Sequence, residues 1–288
     1  MTRSKLLTFY GLKWNPFTAD VPTEGLLCSS RLEHFAWRVE QLVNDGGFAL
    51  IIGDSGTGKS VALRLLDERL SRLRDVLVGV VSRPQSSVSD FYRELGELFS
   101  VNLSPSNRWG GFKALRERWR SHLESTLLRP VLLIDEVQAM TPKVLSELRM
   151  LSSAKFDAVS YLTVVLCGDG RLTELLRHDD LVPLAGRICT RLIMDYASRE
   201  DLLTLLGHVT AQAGNANLLT KPLMHTLADH AAGNCRLLMT MAGELLVEGL
   251  TREQTQLDEK LYLEFFQVPS ATGKRKTKRL VAQAGSAR

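Results

Sequence analysis

The feature that most constrains this chain is the segment GDSGTGKS, residues 53–60. It meets the pattern G-x-x-x-x-G-K-[S/T], and it lies between the apolar run GFALII and the helical pattern VALRLLDERL. Glycines in such a loop allow successive backbone N–H groups to surround phosphate oxygens, and the next helix directs its positive end at the same anion. The segment therefore predicts a phosphate-binding loop between a buried strand and a helix.

The loop itself supplies most of the candidate ligands for a nucleotide. Lys59 is expected to reach the β- and γ-phosphates, and the hydroxyl of Ser60 is expected to bind Mg²⁺. ATP and Mg²⁺ are therefore the predicted cofactors. The candidate nucleotide-binding residues of the loop are Gly53, Asp54, Ser55, Gly56, Thr57, Gly58, Lys59 and Ser60.

Strand and helix patterns alternate along the first two thirds of the chain. The predicted strands, rich in Val, Ile, Leu or aromatic residues, are 48–52, 76–81, 131–135, 161–167 and 190–195. The amphipathic helical patterns between them are 60–73, 88–99, 110–127 and 142–153. Such alternation is typical of a parallel sheet covered on both faces. We therefore predict an α/β domain with a five-stranded, mainly parallel sheet.

The strand patterns stop after Tyr196, and three stretches with helical periodicity follow. These stretches predict a small, all-helical lid domain. The predicted organisation is an N-terminal linker and adenine-side loop at 1–30, the nucleotide-binding domain at 31–197, the lid at 198–266 and a basic, disordered tail at 267–288.

A second informative segment is PVLLIDEVQAM, residues 130–140, where an apolar strand ends in two acids. Buried parallel strands present such carboxylates at their C-terminal edge. Asp135 is predicted to hold the coordination shell of Mg²⁺. Glu136 is predicted to polarise the attacking water. A small-molecule kinase would share the phosphate loop but would not need a general base beside the magnesium ligand. The pair therefore favours an ATPase.

Charge and cysteine content exclude several other classes. The chain has 36 Lys and Arg against 32 Asp and Glu, but six of these cations lie within residues 270–288, which contain no acid. The rest of the chain is therefore slightly acidic, and any DNA site there must be a local patch. Four scattered cysteines predict buried free thiols rather than disulfides or zinc. No apolar stretch has the length of a membrane span, and no signal-peptide core is recognisable, so a cytoplasmic location is expected.

Five segments together resemble the ExeA/GspA-type AAA+ ATPases, a group that includes the transposition ATPases similar to TniB, TnsC and MuB. The resemblance covers roughly residues 9–247, in the order found in the family. The phosphate loop is common to many families, whereas the aromatic opening combined with DEVQ is much more particular. The segments are FYGLKWNPF, GDSGTGKS, LLIDEVQ, LAGRICTRL and AAGNCRLLMTMAGELL.

The resemblance implies roles for further residues. Asp169 matches the sensor-1 position, where related ATPases usually have a neutral polar residue, and capping of the next helix is an equal alternative. Arg187 matches the arginine finger that acts on a neighbouring subunit, with Arg191 as the competing candidate. Arg236 matches sensor 2 on the lid. Two further matches are less specific: the WNPF loop (residues 14–17), predicted either beside the adenine or in a core, and Gln138, which has no assigned role.

Two functions are compatible with the resemblance. In the first, the ATPase forms a homo-oligomer, as a ring or helical filament, on double-stranded DNA without strong sequence preference. There it marks a target for a partner transposase, with an adaptor protein as a further candidate partner. In the second, it serves assembly of a secretion apparatus. Secretion proteins of the ExeA type typically carry a membrane helix and a wall-binding region after the ATPase, and because this sequence contains no such pattern, the DNA function is the one we expect. A nucleotide-dependent interaction switch is a third alternative.

The DNA hypothesis has three candidate contact regions. The stretch 107–123 carries Arg108, Lys113, Arg116 and Arg120, the last three at helical spacings of three and four, and these cations are predicted to track phosphates without reading bases. The loop 82–87, with Arg83, is an alternative, and the tail segment KRKTKR at 274–279 is another. An ordinary solvated helix face remains the alternative for the first region.

Overall fold

The computed structural model of the chain describes residues 3–81, 84, 87–102, 107–156 and 158–266. The predicted contact residue Arg83 and the basic tail lie outside the described residues. The strands of the described part are β1 (Gly47–Gly53), β2 (Val76–Val81), β3 (Arg129–Ile134), β4 (Ser153–Ala154), β5 (Val159–Ser160), β6 (Thr163–Gly168) and β7 (Ile188–Met194).

Helices occupy most of the remaining described chain. The α-helices are α1 (Arg3–Tyr10), α2 (Ser30–Asp45), α3 (Lys59–Ser71), α4 (Val88–Leu98), α5 (Arg108–Ser121), α6 (Pro142–Ser152), α7 (Gly170–Leu176), α8 (Val182–Ala185), α9 (Arg199–Gln212), α10 (Lys221–Ala231), α11 (Cys235–Thr251) and α12 (Glu259–Phe266). Short 3₁₀ turns lie at Thr23–Gly25, Val137–Ala139 and Asp179–Leu181, and a π-helical turn lies at His122–Thr126.

Five strands form one parallel sheet in the order β2–β3–β6–β1–β7, and β4 pairs with β5 as a short antiparallel hairpin. The predicted α/β class with a five-stranded parallel sheet is therefore confirmed. The fourth predicted strand begins two residues later than expected, at Thr163, because the backbone N–H of Tyr161 bonds to the carbonyl of Ser152 and closes the hairpin.

Two helices differ from the sequence patterns. The predicted helix 110–127 begins earlier, at Arg108, and its last turn widens into the π-helical turn before Leu127, which adopts a left-handed conformation (φ 56°). Helix α2 was not predicted, although it has an ordinary start signal, since the hydroxyl of Ser29 accepts a hydrogen bond from the N–H of Leu32.

The sheet separates two hydrophobic cores. Because successive side chains of a strand point to opposite faces, Phe48 and Leu50 of β1 pack with the α4–α6 side, whereas Ala49 and Ile51 pack with α2 and α3. On the first side the indole of Trp119 from α5 is fully buried. Both faces of β1 are therefore covered by helices. The loop that follows β1 lies at the C-terminal edge of this packed sheet.

A third core joins the lid to the N-terminal segment of the chain. Leu6, Tyr10, Leu12 and Phe17 are buried with the apolar faces of α9–α12. The hydroxyl of Tyr10 donates to the carbonyl of Leu246 at 3.1 Å, and burial raises the pKa of Tyr10 to about 12. The beginning of the region predicted as a linker is therefore packed as part of the lid.

Three of the four cysteines differ from the expected burial. All four are free thiols, but only Cys167 is buried; Cys28 and Cys189 are exposed, and Cys235 is half-buried. Cys189 lies in β7, an edge strand of the sheet, where no further described strand covers it. Across the described residues, no helix has the combination of length and apolar character that crossing a membrane requires.

We expect Tyr10→Phe to destabilise the protein by about 0.5–1.5 kcal/mol, because it removes one buried hydrogen bond between the N-terminal segment and α11. Urea unfolding measures this difference. Tyr196→Phe is the matched control, since that tyrosine is 52% exposed, and its free energy of unfolding should change by less than about 0.5 kcal/mol. Equal effects of the two substitutions would contradict packing of the N-terminal segment in the lid.

Candidate nucleotide-binding site

The loop between β1 and α3 has a backbone that depends on its glycines. Gly56 and Gly58 have φ values of 88° and 99°, which side chains rarely permit, and Gly58 forms the N-cap of α3. A Cβ atom on Gly53 would overlap the carbonyl oxygen of Met194 on β7. The loop therefore lies directly against the strand edge, with the N-terminus of α3 facing the same space.

Lys59 lies across this loop rather than in solvent. Its ammonium Nζ donates to the carbonyl oxygen of Asp54 at 2.9 Å, and the residue is only 7% exposed. The hydroxyl of Thr57 donates to the same carbonyl at 2.9 Å. A single backbone oxygen thus holds a buried positive charge at the mouth of α3, where unpaired helix N–H groups also attract anions.

Ser60 and Asp135 form an oxygen pair next to the loop. The Ser60 hydroxyl donates to the Asp135 carboxylate at 3.2 Å, and the other carboxylate oxygen of Asp135 accepts from the backbone N–H of Glu136 at 2.9 Å. A hydroxyl beside a carboxylate is the kind of hard-oxygen donor set that Mg²⁺ prefers. The residues present therefore fit Mg²⁺ bound together with the phosphates of a nucleotide.

The buried thiol of Cys167 in β6 reports how closely these charged groups converge. Its pKa is raised, first by burial and then by the carboxylate of Asp135, while Lys59 acts in the opposite direction and Glu136 in the same one. Lys59, Asp135 and Glu136 thus act on one atom at the C-terminal edge of the sheet. The three side chains thus lie near the same end of β6, and their roles at a nucleotide stay predictions.

Glu136 follows Asp135 in a left-handed backbone conformation (φ 52°) that turns the chain into the 3₁₀ turn Val137–Ala139. Its carboxylate accepts a hydrogen bond from the side-chain amide of Gln138. Gln138 lay in a sequence motif without an assigned role, and its position in the site could not be read from the pattern. The structure places it beside the predicted general base.

The carboxylate of Asp169 is engaged by its own helix. It accepts from the backbone N–H of Arg171 at 2.9 Å, and so caps α7, and from the Arg171 guanidinium at 2.6 Å. The hydrogen bond from Arg171 is the main reason that the pKa of Asp169 is lowered. Capping, the alternative to a sensor role, is therefore what this carboxylate does in the structure.

The lid touches the phosphate loop through the N-terminus of α11. The guanidinium of Arg236 donates to the Ser55 hydroxyl at 3.0 Å, and the Asn234 amide donates to the Ser55 carbonyl at 3.2 Å. A Cβ atom on Gly56 would overlap the Asn234 side chain, so the approach requires glycine. Arg236 thus lies at the phosphate loop, and its sensor-2 role stays a prediction.

Arg187 lies at the other edge of the sheet. Because β1 and β7 are parallel and Phe48 pairs with Ile188 while Gly53 pairs with Met194, Arg187 is ~20 Å from the phosphate loop of its own chain. Its guanidinium donates to the Ser153 hydroxyl at 3.2 Å. Arg191 is exposed in the middle of β7. Neither arginine belongs to the cluster formed by Lys59 and its neighbours.

Trp14 and Phe17 of the WNPF loop pack in the lid core. Phe17 is buried against Gly243 of α11, and the Trp14 ring lies against Gly25. This is the core-packing alternative left open by the sequence. A contact with adenine stays a prediction.

The predicted row of cations on α5 is only partly available to a ligand. Arg108 is ion-paired with the buried carboxylate of Glu147, Arg120 is paired with Glu117, and Arg116 donates to the carbonyl of Met150. These neighbours come from other helices or other turns of α5, which helical spacing alone does not reveal. Lys113 differs, since no carboxylate in the described part of the chain pairs with it.

Comparisons with known proteins agree with this geometry. Residues 43–176 match the family model described as an AAA domain. General secretion pathway protein A of Aeromonas hydrophila is 29% identical over 252 residues, which is 85% of this chain but 45% of the relative. The chain therefore spans less than half the length of that curated protein.

Solved structures with the same fold include the Aeropyrum pernix ORC2 protein in ADPNP and ADP complexes, with a TM-score of 0.70 and 13% identity over 87% of this chain and 70% of that one. Drosophila ORC bound to DNA has a TM-score of 0.67 and 18% identity over 91% of this chain and 65% of that one. Together, the geometry, the AAA domain match over residues 43–176 and the secretion-protein relative support an ExeA/GspA-like AAA+ ATPase that uses ATP with Mg²⁺.

Proposed function

We propose that this ATPase assembles with copies of itself on duplex DNA in the presence of ATP, and there marks a target for a partner transposase. A cytoplasmic location and an adaptor protein are part of the same proposal. The observation that carries it is a surface on and beside α5, the α5 surface, formed by the exposed Trp109 and Lys113 and the half-buried Phe112, Arg116 and Tyr161. It combines cationic and aromatic side chains.

Four residues have the principal roles in the proposed ATPase site. Lys59 binds the phosphates, Ser60 and Asp135 hold Mg²⁺, and Glu136 accepts the proton of the attacking water. The bound metal supplies charge neutralisation on the phosphoryl oxygens. These assignments are supported by the Ser60–Asp135 hydrogen bond and by the convergence of Lys59, Asp135 and Glu136 around Cys167.

Arg236 completes the site from the lid. Its contact with the Ser55 hydroxyl places the guanidinium at the same loop that holds the phosphates. In this position the Arg236 guanidinium would lie next to the negative charge of a bound triphosphate. Binding of ATP would therefore favour the lid position in which Arg236 contacts Ser55. The lid is thereby linked to the state of the nucleotide.

Arg187 acts on the nucleotide of a neighbouring subunit in this proposal. It lies ~20 Å from the loop of its own chain, which is farther than an arginine side chain extends. A head-to-tail arrangement brings this edge of one subunit to the phosphate loop of the next, and repetition of the contact builds a ring or a helical filament. The site is therefore incomplete in an isolated chain.

The α5 surface has the chemistry of a phosphate-binding surface. The Trp109 and Phe112 rings stack with centroids 5.6 Å apart, and Lys113 lies 5.0 Å from the Trp109 ring centroid. Arg116 lies between the Phe112 and Tyr161 rings, 5.0 and 5.4 Å from their centroids. The rings hold the cations in place, and cations in fixed positions can follow a DNA backbone without reading its sequence.

Similarity to a DNA-bound protein adds support. Drosophila ORC, which has the same fold, was solved bound to DNA, and the motif order of this chain resembles that of transposition ATPases. The second candidate function, assembly of a secretion apparatus, is favoured by the 29% identity to general secretion pathway protein A. The two candidates differ in whether duplex DNA is a ligand.

We expect Lys59→Ala to abolish nucleotide binding and Glu136→Gln to retain ATP binding while losing turnover. The first change removes the buried cation of the loop, and the second removes the proton acceptor while keeping its size. Binding of a fluorescent ATP analogue and release of phosphate measure the two steps separately. Normal turnover by Glu136→Gln would contradict its role as the general base.

We expect Arg187→Ala to reduce the hydrolysis rate by about 10³-fold, because a finger stabilises charge on the transferring phosphoryl group, while ATP binding is retained. Mixing this variant with Glu136→Gln should restore part of the rate, since the second protein supplies Arg187 to the intact sites of the first. Arg191→Ala is the matched control and should hydrolyse ATP normally. Failure of the mixture to recover would argue against action between subunits.

We expect Lys113→Glu to weaken ATP-dependent binding to duplex DNA equally for different sequences. If Lys113 neutralises one phosphate, the slope of log affinity against log salt should fall by about 1. Fluorescence anisotropy of labelled duplexes measures both effects, and Lys221→Glu on the lid is the matched control. Absence of duplex binding by the parent protein at low salt with ATP would favour the secretion candidate.

A further inference from the structure

The side chain of Gln138 connects the end of β3 to the end of β6. Its amide Nε2 donates to Oε2 of Glu136 at 2.5 Å, and its Oε1 accepts from the backbone N–H of Asp169 at 3.2 Å. A carboxylate can only accept and a backbone N–H can only donate, so both partners require the same orientation of the amide. Each end of Gln138 therefore has a defined partner.

We propose that Gln138 is a positioning residue for hydrolysis, which holds the Glu136 carboxylate and ties it to the end of β6. The proposal rests on the role of Glu136 as general base. With Oε2 held by the amide, Oε1 of Glu136 is the oxygen that accepts the proton of water. Glu136 lies beyond the end of β3 in a left-handed backbone conformation (φ 52°), and its exposed carboxylate accepts a hydrogen bond from Gln138.

The surroundings of Gln138 are closely packed. The neighbouring Val137 is fully buried, which anchors the 3₁₀ turn in the core of the sheet. At the other end, a Cβ atom on Gly168 would come within 2.5 Å of Gln138 Oε1 and within 2.8 Å of the Leu172 side chain. Glycine at the end of β6 is therefore what allows the amide to reach the backbone of Asp169.

This arrangement also explains the acid at the position where related ATPases usually have a neutral polar residue. The Asp169 carboxylate is occupied by the guanidinium and backbone of Arg171. Gln138 supplies a neutral polar group at the end of β6 from the 3₁₀ turn that follows the adjacent strand β3. Because Gln138 bonds to both Asp169 and Glu136, a displacement of the end of β6 would change the position of the Glu136 carboxylate.

Gln138→Met tests the inference, because methionine has a similar length and flexibility but makes neither hydrogen bond. We expect kcat to fall by about tenfold to a hundredfold, as for a catalytic group displaced by roughly 1 Å, with KM and ATP affinity changed by less than about twofold. A matched control is Gln212→Met, an exposed glutamine at the end of α9, which should leave kcat unchanged.

A second substitution separates the two ends of the amide. Gln138→Glu still accepts from the N–H of Asp169 but cannot donate to Glu136, so we expect it to lose turnover as Gln138→Met does. If Gln138 acts only by supporting the backbone at Asp169, Gln138→Glu should turn over ATP normally. That result would overturn the inference.

Other outcomes are also decisive. An unchanged or increased kcat in Gln138→Met, or a parallel loss of ATP affinity, would overturn the positioning role. The Glu136→Gln protein is measured in the same series. If it hydrolyses ATP normally, the base assignment itself fails; if it is inactive while Gln138→Met is normal, only the inference about Gln138 fails.

Discussion

The close approach of the lid to the phosphate loop is the constraint on which the site depends. Asn234 and Gly56 are in contact at a distance that excludes any side chain on Gly56, and Asn234 also caps α11 through the N–H of Leu237. Asn234 thus caps α11, the longest helix of the lid, and also contacts the phosphate loop. The N-terminal segment packs in the same lid core as α11. Both the beginning and the end of the described chain therefore pack against the helix that carries the contact between Asn234 and Gly56.

The sheet separates the surfaces that the function needs. Its C-terminal edge holds Lys59, Asp135 and Glu136, and the opposite edge holds Arg187 and the β4–β5 hairpin, ~20 Å away along the strands. In the proposed head-to-tail assembly each of these edges would meet the other in a neighbouring subunit. The proposal thereby couples hydrolysis to assembly and leaves the α5 surface for DNA.

Much of the fold could be predicted because its signals are local. Apolar runs of strand length and the phosphate-loop pattern depend on neighbouring residues, and the sheet has the strands that these patterns indicate. Contacts between distant segments carried no such signal. Packing of Tyr10 against Leu246 joins residues that are 236 positions apart, and nothing in the local sequence of the N-terminal segment reveals its partner.

The same distinction applies within the site. Lys59, Ser60 and Asp135 were predicted because their motifs fix both chemistry and position. The contact of Gln138 with Asp169 depends on β6 lying next to β3, which follows from the order of strands in the sheet. For Asp169 the sequence allowed both a sensor and a cap, and in the structure its carboxylate accepts from the backbone N–H and the guanidinium of Arg171. Helix α2, in contrast, has a start signal at Ser29 and regular apolar spacing, so its prediction was possible in principle.

Hydrogen exchange measured with and without MgATP tests the central claim, that one nucleotide is bound jointly by the loop, the end of β3 and the lid. The account predicts slower exchange in three separate segments at the same nucleotide concentration: 53–60, 135–138 and 234–237. Protection confined to 53–60, with exchange in the segment 234–237 unchanged, would contradict the claim, because the lid would then not take part in binding the nucleotide.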